Sequence, residues 1–165
     1  MRILGIDPGT RITGYGCVNV EAGRVEPQLL EAGVLRFDAS RELDDRLVEM
    51  HDAVAELIES VRPDRVAVEK LYAHYKHPRT AILMAHARGV MLLAARRAGL
   101  PVDHLPATEV KKSMTGNGHA SKQQVQEAVA TVCQLPEPPS PPDVADAIAI
   151  AYCSARRAIH PPLVT

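Results

Sequence analysis

The chain has 165 residues, 46% of them hydrophobic, and a formal net charge of −1, which fits one globular domain and is too short for two sizeable ones. No apolar run approaches the roughly 20 residues that span a bilayer, and the N-terminus lacks the apolar stretch of a signal peptide. Three cysteines without metal-ligand spacing argue against a disulfide framework or a zinc site. We therefore expect a soluble, cytoplasmic protein without membrane association, whose cysteines are reduced and buried.

The near-zero net charge hides an asymmetry along the chain. Residues 19–61 carry four Arg and eleven acidic side chains, a balance of −7, whereas residues 62–122 carry eleven Lys and Arg and four acids, a balance of +7. A basic segment of this size can form a local anion-binding face. Two solvated helix faces would explain the same pattern.

The chain opens with a predicted β-hairpin that carries a carboxylate. Arg2 to Ile6 is apolar without helical periodicity and predicts a buried strand that delivers Asp7 to its end. Pro8-Gly9 then turns the chain into a second strand, Ile12 to Val20. A surface hairpin with a solvated Asp7 is the alternative.

Three glycines lie in these two strands, where glycine is normally unfavourable: Gly5, Gly14 and Gly16. Glycine is tolerated in a strand where another backbone, a ligand or a metal-bound phosphate comes close. Their crowding around Asp7 therefore predicts a close approach there.

The rest of the chain predicts three further strands and several helices. We expect strands over 25–37, 64–69 and 100–105. We expect a helix from an N-cap at Ser40 to residue 62 and a helix over 122–133 with Ser121 as its N-cap. Further helices are expected over 79–98, 107–114 and about 143–158. A strand, a helix and a strand in succession imply a parallel pair. The sequence thus predicts an α/β fold with a mixed five-stranded sheet, three antiparallel N-terminal strands and helices on both faces.

Four carboxylates are placed to meet in this arrangement. Asp7 and Glu69 each end a β run, and Asp143 and Asp146 lie three residues apart on one face of the last helix. Acids at a helix N-terminus also serve as caps or interact with the helix dipole. Clustered acids repel each other and need a cation, and their oxygens are the ligands that Mg²⁺ prefers. A two-metal phosphoryl-transfer site follows as a hypothesis.

These residues resemble the RuvC family of Holliday-junction resolvases. The resemblance is carried, in order, by Ile6-Asp7-Pro8-Gly9-Thr10-Arg11-Ile12-Thr13-Gly14-Tyr15-Gly16, Val68-Glu69, Ala87-Arg88-Gly89-Val90 and Asp143-Val144-Ala145-Asp146-Ala147, and runs from residue 2 to about 157. The Asp-Pro-Gly-Thr motif alone is not specific, because actin-like ATPases and sugar kinases carry a similar loop. Those proteins need two such domains around the nucleotide, and this chain has room for one.

The resemblance implies an RNase H-like nuclease domain over residues 1–159 with a short tail, 160–165. It implies that Asp7, Glu69, Asp143 and Asp146 are catalytic and hold two Mg²⁺ ions, with Mn²⁺ as a substitute. It further implies a homodimer that nicks two like-polarity strands of a four-way DNA junction symmetrically and leaves ligatable 5′-phosphates. The dimer would work with a branch-migration motor of the RuvA–RuvB type in recombination and repair. Some relatives carry His in place of Asp143.

The resemblance also indicates DNA contacts. Lys111 and Lys122 match lysines that contact phosphates near the active site, although both could be plain solvated charges. Tyr72 matches a position where an aromatic ring stacks on bases opened at the junction centre, and Tyr75 is a competing candidate. Apart from the resemblance, Lys76 in the same basic and aromatic loop is a candidate for a phosphate contact.

Three other functions stay open from sequence. A protein that binds branched DNA without cutting would favour fewer acids on its contact face. An RNase H-like nuclease acting on RNA–DNA hybrids would contact a 2′-hydroxyl. An actin-like nucleotide-binding domain would bind ATP.

Overall fold

The computed structural model describes residues 1–72 and 78–160. In chain order these residues form β1 (Arg2–Asp7), β2 (Ile12–Asn19), β3 (Gln28–Arg36), α1 (Leu43–Val61), β4 (Arg65–Glu69), α2 (Pro78–Arg97), β5 (Val102–Leu105), α3 (Ala107–Thr115), α4 (Lys122–Val132) and α5 (Pro142–Ile159).

The strands form one sheet in the order β3-β2-β1-β4-β5. β1, β2 and β3 pair antiparallel to one another, whereas β4 pairs parallel to β1 and β5 pairs parallel to β4. Parallel pairing follows from the helical connections through α1 and α2, which return the chain to the end where the previous strand began. The predicted fold class, a mixed five-stranded sheet with three antiparallel N-terminal strands and helices on both faces, is confirmed.

Each face of the sheet has its own hydrophobic core. On one face Leu4, Ile6 and Val68 pack with buried residues of α1 and α2. On the other, Ile3, Val18 and Ala67 pack with α3, α4 and α5. Because side chains alternate along a strand, Asp7 and Glu69 lie on the same face as Ile3 and Ala67, the face that α5 covers.

The strand glycines are where α5 meets the sheet. A β-carbon added at Gly14 would lie 2.0 Å from the carbonyl oxygen of Asp143, and one added at Gly5 would lie 2.3 Å from that of Ala147. At Gly16 it would also come within 2.9 Å of α5. The close approach predicted from these glycines therefore involves the backbone of a helix, which was one of the options left open.

One helix boundary differs from the expectation. The predicted N-cap at Ser40 is wrong, since α1 begins at Leu43 with Glu42 in the cap position. The backbone N–H and the hydroxyl of Ser40 both donate to Asp38 Oδ1, at 2.9 and 2.6 Å. Ser40 thus stabilises the turn before the helix instead of the first helical turn.

The predicted cap of α4 is confirmed. Ser121 Oγ accepts from the backbone N–H of Gln124, and the Gln124 side chain accepts from the backbone N–H of Ser121, which completes a capping box. Among the cysteines, Cys17 and Cys153 are buried as expected, whereas Cys133 is half-buried. None of the helices formed by the described residues combines the length and the apolar character that crossing a bilayer requires.

Candidate active site

Two of the predicted site residues end neighbouring parallel strands. Ile6 pairs with Val68 in the sheet, so Asp7 and Glu69, one residue further on, leave the same end of β1 and β4. Both are half-buried. Their side chains project to the face covered by α5, because Asp7 lies four residues after Ile3 and Glu69 two residues after Ala67, both of which pack on that face.

The other two acids come from the start of α5. The helix begins at Pro142, a residue suited to the first turn because its missing N–H has no intrahelical partner to lose. Asp143 and Asp146 follow in the first two turns and are half-buried. Since Gly14 pairs with Asp7 and contacts the backbone of Asp143, the N-terminus of α5 lies directly beside the end of β1.

Electrostatics shows that the four carboxyl groups act on one another. Burial, followed by the charges of Asp146, Glu69 and Asp143, raises the pKa of Asp7 to about 8. Burial and Asp146 likewise raise the pKa of Glu69. The pKa of Asp146 is raised chiefly by burial, with Asp143 adding to the shift. The structure thus brings all four predicted acids together in a site where their negative charges are incompletely compensated.

This donor set fits a divalent cation. Carboxylate oxygens are hard ligands suited to Mg²⁺ and Mn²⁺, and a cation would offset the repulsion that raises the pKa of Asp7. As they are oriented, no three acidic, His or Cys side chains among the described residues form a group that could hold a metal ion.

The two predicted DNA-contacting lysines lie beside this cluster. Lys122, at the start of α4, places Nζ 3.5 Å from Asp146 Oδ2 while its side chain remains 76% exposed. The charges of Lys111 and Lys122 both lower the pKa values of Glu69 and Asp146, against the larger effect of burial. These lysines supply partial compensation to the acids and, in the case of Lys122, an ammonium group open to solvent.

The predicted stacking residue Tyr72 is 63% exposed and follows Glu69 by three residues. Tyr75 and Lys76, together with His74 and His77, lie outside the described residues. His119 is exposed in the loop before α4, where its backbone N–H donates to Asn117 Oδ1 at 2.9 Å.

Sequence reasoning did not assign a role to Thr13. The residue is fully buried, and its hydroxyl accepts from the backbone N–H of Gly9 and donates to the carbonyl of Gly9, both at 3.1 Å. It therefore fixes the turn that follows Asp7. The only signal in the sequence was a small hydroxyl residue four positions after a turn glycine, which does not reveal burial.

A second unassigned contact involves Arg88 of α2. Its Nε donates to the backbone carbonyl of Glu69 at 3.0 Å. The sequence did not indicate this contact, because a hydrogen bond to a main-chain atom leaves no trace in residue identities.

Comparison with known proteins identifies the family. The profile of the family described as "Crossover junction endodeoxyribonuclease RuvC" matches residues 3–154. The chain belongs to the RuvC family. A protein of that name from Rhodopirellula baltica is 49% identical over 96% of this chain and 88% of its own length.

Solved structures of the RuvC family agree with this assignment. The Thermus thermophilus RuvC structure has a TM-score of 0.85 to this chain, with 35% identity, and the match covers 96% of both chains. The T. thermophilus RuvC in complex with Holliday junction substrate gives a TM-score of 0.86, also at 35% identity, covering 96% of this chain and 94% of that one. The family resemblance drawn from the four motifs is therefore confirmed, as is the RNase H-like fold that it implied.

Proposed function

We propose that this chain is a divalent-metal-dependent endonuclease that resolves four-way DNA junctions in recombination and repair. The carrying observation is the convergence of four carboxylates at the contact of β1, β4 and α5, within a fold that matches RuvC over nearly its whole length. Retention of all four acids favours cutting over binding alone, because a protein that only bound DNA would gain from removing negative charge at the contact face.

Asp7, Glu69, Asp143 and Asp146 would hold two Mg²⁺ ions, for which Mn²⁺ can substitute. When bound, the ions supply activation of the attacking water and charge stabilisation for the departing 3′ oxygen. The role of the chain is to position the ligands: the sheet fixes the main chain at Asp7 and Glu69, and the glycine contacts fix α5 against it. The products would carry 5′-phosphates that a ligase can join.

The lysines would hold the DNA strand next to the acids. The exposed ammonium of Lys122 can exchange its 3.5 Å contact with Asp146 for a phosphate oxygen, since an exposed ion pair contributes little stability. Lys111 lies close enough to Glu69 and Asp146 to act on both electrostatically. Tyr72, exposed beside this site, would stack on a base opened at the junction centre, with Tyr75 as the competing residue and Lys76 as an added phosphate contact.

A homodimer would place two such sites on the two strands of like polarity. Support comes from α2, whose residues Ile82, His86, Gly89 and Leu93 recur at intervals of three and four and form one exposed face. Ile82 and Leu93 are 57% and 52% exposed, and with Leu47 of α1 they line a shallow apolar groove. An apolar helix face of this kind is suited to a second copy of the chain.

Three further parts of the proposal follow from the family. We expect residues 1–159 to work as one nuclease domain with 160–165 as a tail, the dimer to act together with a branch-migration motor of the RuvA–RuvB type, and the protein to work in the cytoplasm. A pull-down of the motor proteins on junction DNA, with and without this chain, tests the second point.

The direct test is incision of an end-labelled mobile four-way junction in Mg²⁺, beside a linear duplex and an RNA–DNA hybrid. Native protein should make paired symmetric nicks on the junction only. Asp7→Asn should abolish cutting while binding is retained, because one metal ligand and one negative charge are removed. Asp44→Asn makes the same charge change at an exposed site of α1, on the other face of the sheet, and should cut normally.

Other outcomes distinguish the alternatives. Tight junction binding without nicks in either metal would identify a shape-recognising protein, and cutting confined to the hybrid would identify an RNase H-like activity. Loss of junction binding together with cutting in Asp7→Asn would contradict the assignment of Asp7 as a metal ligand.

A further inference from the structure

The side chain of Arg88 reaches the end of β4 from the side of the sheet opposite to the acids. Arg88 lies on α2, which packs with Leu4, Ile6 and Val68, whereas the Glu69 carboxylate lies on the α5 face. The Nε of Arg88 donates to the carbonyl of Glu69 at 3.0 Å, and Nη2 donates to Nδ1 of His104 at 2.7 Å. His104 belongs to β5, so one guanidinium joins α2 to two neighbouring strands.

This guanidinium is half-buried and has no acidic partner. Within residues 1–72 and 78–160 no carboxylate lies within 4.0 Å of it, whereas Arg65, Arg156 and Arg157 each pair with an acid. A partly desolvated cation that pairs with no acid is unfavourable for stability alone. Its donors are instead directed to a main-chain carbonyl and a neutral imidazole.

The contact acts on the backbone of Glu69 and not on its charge. The charged groups that shift the pKa of the Glu69 carboxyl are Asp146, Lys111 and Lys122, all on the α5 side. The Glu69 carbonyl is the last of β4, and the next backbone group, the N–H of Lys70, donates to the carbonyl of Leu105 at 2.8 Å. Arg88 therefore fixes the peptide at which the chain leaves the sheet.

The residues on both sides of that peptide belong to the proposed site. Glu69 is a proposed metal ligand, and Tyr72, three residues later, is the proposed stacking residue. Without Arg88 this peptide keeps only the hydrogen bond from the N–H of Lys70 to the carbonyl of Leu105, and a rotation of the peptide would move the carboxylate and the tyrosine together.

We propose that Arg88 is a positioning residue: by holding the Glu69 carbonyl it sets the direction of the Glu69 carboxylate and of the segment that carries Tyr72. This inference rests on the proposed function, and it extends that function to a residue that touches neither the metal site nor, in this role, the DNA. His104 assists by accepting from Nη2 and so holding the guanidinium beside the Glu69 carbonyl.

The test compares Arg88→Met with Arg96→Met. Arg96 lies two turns further along α2 and also donates to a main-chain carbonyl at 3.0 Å, that of Leu100, away from the acids. Both changes remove one charge and one such hydrogen bond. At saturating enzyme and Mg²⁺, Arg88→Met should lower the single-turnover cleavage rate about 10- to 100-fold, as expected for misplaced reacting groups.

The control variants should behave differently. Arg96→Met should change the rate less than about 3-fold, as is usual for surface substitutions. Arg88→Lys should recover part of the rate, because an ammonium can donate to the carbonyl but cannot also reach His104. His104→Leu leaves Arg88 in place and should show a smaller loss than Arg88→Met. Junction affinity without metal should be the same in all four variants.

Hydrogen exchange of the metal-free proteins gives a readout that does not depend on activity. Arg88→Met should speed exchange of the Lys70 amide, which donates to the carbonyl of Leu105, whereas Arg96→Met should speed exchange only around residue 100. Unchanged exchange at Lys70, equal rate losses in the two methionine variants, or a rate loss explained by weaker junction binding would overturn the proposal. If the native protein does not cut junctions, the proposed function fails, and the exchange comparison still tests the contact.

Discussion

Asp7 is the residue at which burial and repulsion between the acids of the site raise the pKa most clearly. Its pKa is raised to about 8 by burial and by Asp146, Glu69 and Asp143, so in the metal-free protein it is largely protonated at neutral pH. An unfolded aspartate has a pKa near 3.9. Below that value both states are protonated and Asp7 does not affect stability. As the pH rises towards 8 only the unfolded state ionises, so the free energy of unfolding falls.

We therefore predict that Asp7→Asn stabilises the metal-free protein at pH 8 by about 2 kcal/mol, or about 4 to 8 °C in Tm. At pH 4 the native protein and the variant should have nearly equal stability. Thermal unfolding in a chelator between pH 4 and pH 8 measures this, with Asp44→Asn as the matched control. A constant difference between Asp7→Asn and native protein across this range would show that repulsion at Asp7 is not its cause. Added Mg²⁺ should stabilise the native protein more than the variant.

The ring of Tyr72 is exposed and is the proposed stacking group. Its side chain is 63% exposed, and stacking on an unpaired base contributes roughly 1 to 3 kcal/mol. We predict that Tyr72→Ala slows junction cutting about 10-fold while junction affinity changes little, and that Tyr72→Phe cuts normally because the ring is kept. Cleavage rates and junction affinities of the native protein, Tyr72→Ala and Tyr72→Phe test this prediction. If Tyr75→Ala alone gives the same loss, the stacking role belongs to Tyr75.

At the scale of elements, the packing of α5 against β1 and β2 positions two of the four acids. Gly14 leaves no room for a side chain, since an added β-carbon would lie 2.0 Å from the carbonyl oxygen of Asp143. We predict that Gly14→Ala displaces the start of α5, lowers stability by about 1 to 3 kcal/mol and abolishes cutting. Gly89→Ala, at an open position on α2 with no atom within 4 Å, should keep the stability of the isolated chain or raise it by up to about 1 kcal/mol.

The free energies of unfolding and the junction cleavage rates of Gly14→Ala and Gly89→Ala test this prediction. Full activity of Gly14→Ala would show that the separation of α5 from β1 does not control the site.

The elements were largely predictable from the sequence because their signals are local. Helical spacing of apolar residues and the Ser121 cap gave α4 to within one residue, and Asp7 was correctly placed at the end of β1. Ser40 is not the cap because α1 begins only at Leu43, while the N–H and hydroxyl of Ser40 donate to Asp38 in the preceding turn, and residue identity does not decide where the first turn begins. Gly14 indicated a close approach, but only the folded chain shows that α5 is the partner.

The site was predictable to a smaller extent, because its supporting contacts join residues distant in sequence. The four acids could be proposed from strand ends and helix spacing together with the family motifs. The hydrogen bond from Arg88 to the Glu69 carbonyl joins residues 19 positions apart and uses a main-chain acceptor, so no pattern of side chains in the sequence predicts it.

At the scale of the whole molecule, only part of the charge asymmetry of the sequence is separated by the sheet, because the arginines of α2 lie on the same face as α1. The acidic helix α1 covers the face away from the four carboxylates, while Lys111 and Lys122 lie beside them on α3 and α4. Phosphates would thus be attracted to Lys111 and Lys122 and repelled from α1. Because one chain has a formal net charge of −1, its DNA binding depends on local lysine and arginine contacts. Two chains together would offer a junction more of these contacts than one, and affinity should fall with rising salt.

The exposed face of α2 is where two chains would meet. Leu93 is 52% exposed in the row that includes Ile82 and Gly89, so a carboxylate there would have to be desolvated on association. We predict that Leu93→Glu converts a native dimer into a monomer at micromolar concentration and replaces paired nicks by single nicks at a reduced rate. Val25→Glu, at a residue 71% exposed before β3, makes the same change elsewhere and should remain dimeric.

Sedimentation velocity of the three proteins, with cleavage of a cruciform plasmid, distinguishes these outcomes, since paired nicks linearise the plasmid and single nicks only relax it. A native protein that is monomeric at tens of micromolar, or a Leu93→Glu variant that stays dimeric, would contradict association through α2. Only a dimer can place two sets of the four acids on one junction at once. A monomeric Leu93→Glu variant that still linearises the plasmid at the native rate would therefore show that the two strands are cut without a paired site.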